Sequence, residues 1–248
     1  MYAVPQILTR NADDFLRTAN QLKEYGYQEV NLNLGCPSKT VVTKGCGAGF
    51  LARPDELEQF LDRIYSKTDM KISVKTRLGM ENAEEFPRLM EIYNRFPMEE
   101  LIIHPRVQKD FYKNTPNLEA FGEALAISKN SVCYNGDIFS ADDFKRIHAQ
   151  FPNVECFMMG RGILADPSLA REIRGGKAAD QSDIRRFHDL LYHTYREEVS
   201  GDRNVLFKMK EIWFYLTKSF PDREKYLKLI RKCQSLPEYK LIVQQIFS

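Results

Sequence analysis

Residues able to do chemistry recur where six short apolar segments of the 248-residue chain end. Cys36 offers a thiol, and an ordinary thiol, with a pKa of about 8.5, is still protonated near neutral pH and can donate a proton. The other residues offer amides, cations, an imidazole and glycine backbone, which are groups that line ligand-binding and catalytic sites. The whole set is Gln6, Asn31, Asn33, Cys36, Lys75, Arg77, His104, Arg106, Asn135, Gly136, Asp137, Gly160 and Arg161.

The segments that carry these residues alternate with helical patterns. Apolar or β-branched runs occupy residues 3–8, 29–34, 71–77, 101–106, 132–138 and 156–162, and helical patterns occupy 12–25, 54–65, 83–93, 118–127 and 141–150. Asn11, Pro54 and Ser140 mark helix starts. Because no early strand is followed by Gly-x-Gly-x-x-Gly, the pattern favours a parallel (β/α)8 TIM barrel over a Rossmann sheet. All strand ends of such a barrel meet at one mouth.

A closed barrel of this type needs eight strands, and six are visible in the sequence. We therefore expect the first two βα units to lie upstream of Met1, which would make this chain an N-terminally incomplete version of a longer protein. The β pattern disappears after Gly175, and three or four amphipathic helices follow, interrupted near Gly201, Pro221 and Pro237. We predict a partial barrel domain over residues 1–178 and a small C-terminal helical bundle domain over residues 179–248.

The composition is that of an ordinary folded protein, with 43% hydrophobic and 28% charged residues. The sequence contains no run of about 18 apolar residues and no secretory signal, so we expect no membrane association and a cytoplasmic location. The five cysteines include no Cys-x-x-Cys pair. An odd number without metal-ligand spacing predicts reduced thiols and no metal site.

Basic residues are concentrated towards the C-terminal end, although the net charge is only +2. Residues 181–248 hold 13 Lys and Arg against 9 Asp and Glu, whereas residues 1–180 hold 23 against 25. Such an excess fits either a polyanionic partner or a solvated helix surface.

Six motifs together resemble those of the tRNA-dihydrouridine synthases. They are Asn-Leu-Asn-Leu-Gly-Cys-Pro at residues 31–37, Gly-Cys-Gly-Ala at 45–48, Val-Lys-Thr-Arg-Leu-Gly at 74–79, His-Pro-Arg at 104–106, Asn-Gly-Asp-Ile at 135–138 and Gly-Arg-Gly at 160–162. The resemblance implies an FMN enzyme, supplied with electrons by NADPH or NADH, that reduces the C5–C6 double bond of uridines in tRNA. It also implies a helical tRNA-binding domain, and we expect a monomer.

The resemblance further implies a role for each candidate residue. Cys36 matches the acid that protonates C5 of the uracil ring, and Asn33, Arg77 and Arg106 match positions that face the substrate. The expected flavin contacts are Gln6, Lys75, His104, Asn135, Gly136, Asp137, Gly160 and Arg161, the last five of them near the flavin phosphate.

Two other interpretations stay open at this point. One is a flavin barrel that reduces or oxidises a free pyrimidine, similar to dihydroorotate and dihydropyrimidine dehydrogenases, which share an Asn-x-x-Cys-Pro type of strand end. The other is a non-catalytic RNA-binding remnant. The basic helical segment favours RNA over a free pyrimidine.

Overall fold

A computed structural model describes residues 2–248, and a six-stranded parallel sheet is its central element. The strands are β1 (Gln6–Ile7), β2 (Glu29–Leu34), β3 (Lys71–Arg77), β4 (Leu101–His104), β5 (Val132–Tyr134) and β6 (Cys156–Phe157). They lie in sequence order, and each is hydrogen-bonded in parallel to the next. This order is the one that consecutive right-handed βα units produce, and it confirms the predicted α/β barrel type of fold.

Five helices and three 3₁₀ turns connect the first five strands. The helices are α1 (Ala12–Glu24), α2 (Lys39–Thr43), α3 (Pro54–Tyr65), α4 (Phe86–Tyr93) and α5 (Leu118–Ile127), and the turns are Gly47–Ala52, Ala83–Glu85 and Gln108–Asp110. The predicted cap of α1 is confirmed, since the side-chain oxygen of Asn11 accepts hydrogen bonds from the backbone N–H groups of Asp13 and Asp14 at 2.9 and 3.0 Å. Such a cap satisfies donors that a helix start otherwise leaves unpaired.

The chain forms two compact units. The first consists of the residues up to Gly136 together with Phe151–Met158, so it contains the whole sheet. The second consists of Asp137–Gln150 and Met159–Ser248. Its helices are α6 (Ala141–Gln150), α7 (Arg161–Ala165), α8 (Leu169–Ile173), α9 (Gln181–Glu198), α10 (Asp202–Leu216), α11 (Arg223–Lys232) and α12 (Leu236–Ile246), with a 3₁₀ turn at Thr217–Ser219. The expected domain boundary at residues 178/179 stays a prediction.

Helices α9 to α12 share an apolar core that contains a buried polar network. The indole N–H of Trp213 donates to the hydroxyl of Tyr239 at 2.7 Å, which leaves the hydroxyl hydrogen of Tyr239 free to donate to Nε2 of His188 at 2.5 Å. Nδ1 of His188 then carries a hydrogen and donates to the carboxylate of Asp189 at 2.8 Å. Every polar group of this network has a partner, as burial requires.

The predicted interruptions of the helical segment are confirmed near all three places. Gly201, with φ of +85°, separates α9 from α10, and Pro221 lies between α10 and α11. The third interruption lies between the end of α11 and the start of α12, and Ser235 caps α12 by accepting from the backbone N–H of Glu238 at 3.3 Å. Pro237 itself lies in the first turn of α12, where a missing N–H removes no helical hydrogen bond.

Among the helices of residues 2–248, none has the length and apolar composition needed to cross a membrane.

Candidate active site

Cys36 lies in a turn that follows β2, and Asn33 at the end of that strand shapes the turn. The side-chain oxygen of Asn33 accepts hydrogen bonds from the backbone N–H groups of Gly35 at 3.1 Å and Cys36 at 2.9 Å. Its amide N–H donates in turn to Gln6 at 2.6 Å. The thiol of Cys36 is partly exposed and forms no hydrogen bond within residues 2–248. It is therefore available to an incoming molecule.

The segment around Gly47 packs directly against Cys36. The N–H of Ala48 donates to the carbonyl of Cys36 at 3.1 Å. Gly47 has φ of +55°, and a Cβ atom at this position would lie 2.9 Å from Cβ of Cys36. A side chain would therefore be both strained and in collision, which explains why the predicted motif has glycine here.

Three strands are linked beneath Cys36 by a row of side-chain hydrogen bonds. Gln6, Asn31 and Ser73 occupy paired positions on β1, β2 and β3. The amide of Gln6 donates to Asn31 at 2.8 Å, and the amide of Asn31 donates to Ser73 at 2.9 Å. The sequence prediction gave Asn31 no role in the site and left out Ser73, although the alternation of side chains along β2 and β3 places both on the same face as Asn33 and Lys75.

Lys75 is an unpaired cation next to this row. It is the strand partner of Asn33, and its ammonium group forms no hydrogen bond or ion pair within residues 2–248. Burial, with a smaller contribution from the positive charge of Arg77, lowers its pKa from 10.5 to about 8. A half-buried ammonium group without a protein partner is suited to bind a negatively charged or carbonyl-rich group.

The guanidinium of Arg77 is used to hold loops together. This side chain is 2% exposed and donates to the backbone carbonyls of Gly35 at 3.0 Å, Val107 at 3.0 Å and Phe111 at 2.9 Å. The ring of Tyr112 lies against it, with its centroid 5.4 Å from the central guanidinium carbon. The sequence predicted that Arg77 faces the substrate. In the structure its guanidinium donates mainly to backbone carbonyls. A contact with the substrate stays a prediction.

His104, Arg106 and Asn135 form a buried chain that fixes the tautomer of the histidine. Arg106 can only donate, so its contact of 3.3 Å makes Nε2 of His104 the acceptor. Nδ1 therefore carries the hydrogen and donates to the side-chain oxygen of Asn135 at 3.3 Å, while the amide of Asn135 donates to the carbonyl of Met158 at 2.8 Å. Burial first, and then the charges of Arg77, Lys75 and Arg106, lower the pKa of His104 to about 2. This imidazole is neutral.

Arg106 is also buried, at 2% exposed, and its Nε donates to the carbonyl of Asn114 at 2.5 Å. Like Arg77, it is directed towards groups of the protein itself, and its expected contact with the substrate stays a prediction. Tyr112, whose ring meets that of His104 edge-on at 6.0 Å and is half exposed, was not a candidate in the sequence. An aromatic residue in a loop carries no sequence pattern that would predict contact with a buried histidine of the site.

The remaining candidates are divided between the two compact units. Gly136 belongs to the first, where a Cβ atom would lie 2.0 Å from the hydroxyl of Tyr134, so only glycine fits. Asp137, Gly160 and Arg161 belong to the second, where Arg161 donates to Asp137 at 2.6 Å. The predicted contacts of these residues with a phosphate stay predictions.

Comparison with known proteins identifies the relationship. The sequence profile of the dihydrouridine synthase (Dus) family matches residues 2–247, which is almost the entire chain. The chain belongs to the dihydrouridine synthase family.

Relatives within the family differ in how much of them this chain covers. A tRNA-dihydrouridine synthase B from Pasteurella multocida is 30% identical over 173 residues, which are 67% of this chain and 50% of that protein. A tRNA-dihydrouridine(16) synthase from Shewanella oneidensis is 27% identical over 244 residues, 97% of this chain and 76% of that protein. The chain thus spans about half to three quarters of the length of these two relatives.

The fold of this member of the dihydrouridine synthase family also has a similar solved structure. A histamine dehydrogenase from Rhizobium sp. 4-9 superposes with a TM-score of 0.50 at 13% identity, covering 66% of this chain and 27% of that one. At this identity the similarity concerns the fold alone.

Proposed function

We propose that this chain reduces the C5–C6 double bond of a uridine in tRNA to give 5,6-dihydrouridine. The observation that carries the proposal is the thiol of Cys36, which is partly exposed and without a partner among residues 2–248, in a turn held by Asn33. Membership of the dihydrouridine synthase family and the names of the relatives support the same reaction.

Cys36 is the proton donor in this proposal. Addition of hydride to C6, the carbon β to the C4 carbonyl, leaves electron density at C5. The thiol gives its proton to C5 and becomes a thiolate, which regains a proton from solvent. The backbone N–H groups of Gly35 and Cys36 donate to Asn33, and these hydrogen bonds fix the position of the turn that carries the thiol. A fixed position makes proton transfer to the substrate more efficient.

FMN is the cofactor that we propose, with NADPH or NADH as the source of electrons. When bound, reduced FMN supplies the hydride. The residues that would hold it are Gln6, Lys75, His104, Asn135, Gly136, Asp137, Gly160 and Arg161. The fit rests on Lys75, since its ammonium group is half-buried and has no partner of its own within residues 2–248. Such a cation stabilises negative charge on a reduced ring.

The neutral His104 contributes no charge. Its Nε2 accepts from Arg106 and its Nδ1–H donates to Asn135, so we propose that the ring orients these two side chains. We propose that Asn33, Arg77 and Arg106 serve the substrate side. For the two arginines this role consists mainly in holding the loops that surround Cys36, because their guanidinium groups are directed to backbone carbonyls.

The tRNA partner is proposed to bind the helical segment. Lys228, Arg231 and Lys232 line a cavity of about 430 Å³ beside α11, where phosphate oxygens can be neutralised. Lys210 is not part of such a surface, since its ammonium donates to the carbonyls of Arg231 and Cys233 at the end of α11. A cytoplasmic location and a monomeric state complete the proposal.

Mapping dihydrouridine in tRNA from cells with and without the gene tests the reaction. We expect loss of dihydrouridine at one position or a small group of positions, and no restoration by Cys36→Ala. Cys46→Ala is the matched control, since Cys46 is also partly buried and lies in the same region, and it should restore the modification. Unchanged dihydrouridine without the gene would contradict the proposal, and reduction of free uracil without reduction of tRNA would favour a free-pyrimidine enzyme.

A further inference from the structure

Two thiols and a carboxylate come together where β4, β5 and β6 lie side by side. Cys133 on β5 and Cys156 on β6 are direct strand partners, and Glu100 immediately precedes β4, the other neighbour of β5. The two sulfur atoms and a carboxylate oxygen of Glu100 all lie within 4.8 Å of one another. All three residues belong to the first compact unit.

Glu100 differs from Glu29 and Glu99, which line the same cavity, in lacking a partner among residues 2–248. Glu29 accepts from the hydroxyl of Tyr2 at 2.9 Å, and Glu99 accepts from the ammonium of Lys71 at 2.7 Å. The carboxylate of Glu100 is half-buried and has no hydrogen bond or ion pair within residues 2–248. A carboxylate taken out of water is unfavourable unless a cation or a hydrogen-bond donor compensates it.

The cluster is open to solvent on one side. A cavity of about 750 Å³ is lined by Glu100 and Cys156, together with Glu29, Glu99 and Glu155. Cys156 is exposed, whereas Cys133 is buried. An ion can therefore enter from the cavity, with further carboxylates along the way that attract cations.

We propose that Glu100, Cys133 and Cys156 bind a zinc ion, with water or Glu155 in the fourth position. Thiolates favour soft or borderline metals, and two thiolates with a carboxylate suit Zn²⁺ in tetrahedral coordination. Zinc–sulfur bonds of about 2.3 Å require sulfur atoms somewhat less than 4 Å apart, so small side-chain rotations close the site. Binding releases the two thiol protons to solvent, and the ion links β4, β5 and β6.

This site does not follow from the spacing of cysteines, which predicted no metal. The ligands come from three neighbouring strand regions rather than from one Cys-x-x-Cys turn. Only the parallel register brings them together, and the sequence does not show register.

Metal titration of the untagged 248-residue chain tests the proposal without any measurement of activity. We expect one equivalent of Zn²⁺ per chain and, with Co²⁺ alone as the probe, a thiolate-to-cobalt charge-transfer absorption band. Cys156→Ser should weaken Co²⁺ binding by more than about tenfold, the least effect expected even for a residue that only supports a ligand. This variant should fold, because Cys156 is exposed. Glu100→Gln should weaken binding while leaving the thiolate band.

Cys46→Ser and Glu99→Gln are the matched controls, since they remove a thiol and a carboxylate outside the cluster, and both should bind Co²⁺ as the unmodified chain does. The proposal is overturned if the chain binds no Zn²⁺, if Cys156→Ser binds Co²⁺ equally well, or if mass spectrometry of the non-reduced chain shows a disulfide between Cys133 and Cys156 instead.

Discussion

The side-chain oxygen of Asn33 accepts a hydrogen bond from the backbone N–H of Cys36 at 2.9 Å. Asn33 is the strand partner of Lys75, so one residue connects the proposed proton donor with the unpaired cation. The position of the thiol therefore depends on a side chain three residues earlier in the sequence. The proposed cofactor contact Lys75 and the proposed acid Cys36 are therefore positioned by the same pair of strands.

Removal of this contact should lower turnover more than stability. Asn33→Ala loses the acceptor for the Gly35 and Cys36 N–H groups and should reduce kcat by about 100-fold, as misplacement of a reacting group by about 1 Å does. Asn33→Asp keeps an acceptor and should retain more activity. Dihydrouridine formation on tRNA gives kcat, and urea unfolding should show a loss of about 1 kcal/mol for the alanine variant. Equal kcat in the two variants would contradict the role of the acceptor.

Stability should increase with pH through the titration of Lys75. Its pKa of about 8 in the folded protein lies below the ordinary 10.5, so between these values the unfolded chain binds more protons and a rise in pH favours folding. We expect Lys75→Met to be more stable than the unmodified chain at pH 7.5, by up to about 3 kcal/mol, and the difference to shrink towards pH 10.5.

Urea unfolding at several pH values measures the difference in the free energy of unfolding between Lys75→Met and the unmodified chain. The other titrating groups are the same in both proteins, so their contributions cancel. Lys145→Met is the control, since Lys145 is an exposed residue of α6 with a surface ion pair to Asp142. It should shift stability only slightly and equally at each pH. A Lys75→Met difference that does not change with pH would refute the expectation.

His104 should stay neutral with its hydrogen on Nδ1. Its pKa of about 2 in the folded protein lies below the ordinary 6.5, so its contribution to stability is lost as pH falls from about 6.5 towards 2. Nitrogen NMR of the imidazole, assigned with His104→Gln, should show an Nδ1–H tautomer from pH 8 to pH 5. An imidazolium spectrum at pH 6 would show that the surrounding cations do not act as described.

Arg77 should be a strong determinant of stability. Arg77→Lys keeps the charge but cannot reach the three carbonyls of Gly35, Val107 and Phe111 in the same fork, so buried acceptors lose their donor. We expect the free energy of unfolding to fall by about 3 kcal/mol. Arg88→Lys, on the exposed surface of α4 with ion pairs to Asp55 and Glu91, should change it by less than about 0.5 kcal/mol. Similar losses for both arginines in thermal or urea unfolding would contradict this assignment.

Most elements of the fold could be predicted where the spacing of apolar residues was regular and, for helices, where a capping residue or proline marked the start. Strands β2 and β3 and helices α3, α5 and α6 have the predicted bounds. The later strands end earlier than predicted, because the predicted ranges include residues of the loops that follow the paired segments. Strand β4, for example, stops at His104 before Pro105, which has no N–H to pair. Helix α2 and the 3₁₀ turn after it were missed, since a run of threonine, valine and glycine carries no helical period.

The sequence predicted which residues lie close together in the site, but not which groups they contact. Asn33, Cys36 and Lys75 were found from the ends of β2 and β3, and the structure brings them together. What the sequence does not contain is the partner of each group. Nothing in the residue type of Arg77 distinguishes a guanidinium that meets a substrate from one that binds three carbonyls.

The shared use of Arg77 couples loops that are distant in the sequence. The turn that carries Cys36 follows β2, while Val107 and Phe111 lie in the loop after β4, and one buried side chain from β3 anchors both. A loop transplanted alone from a relative would have to place its backbone carbonyls at the same positions to accept from this guanidinium. Exchange of these loops with another dihydrouridine synthase should therefore succeed when both are moved together with their arginine.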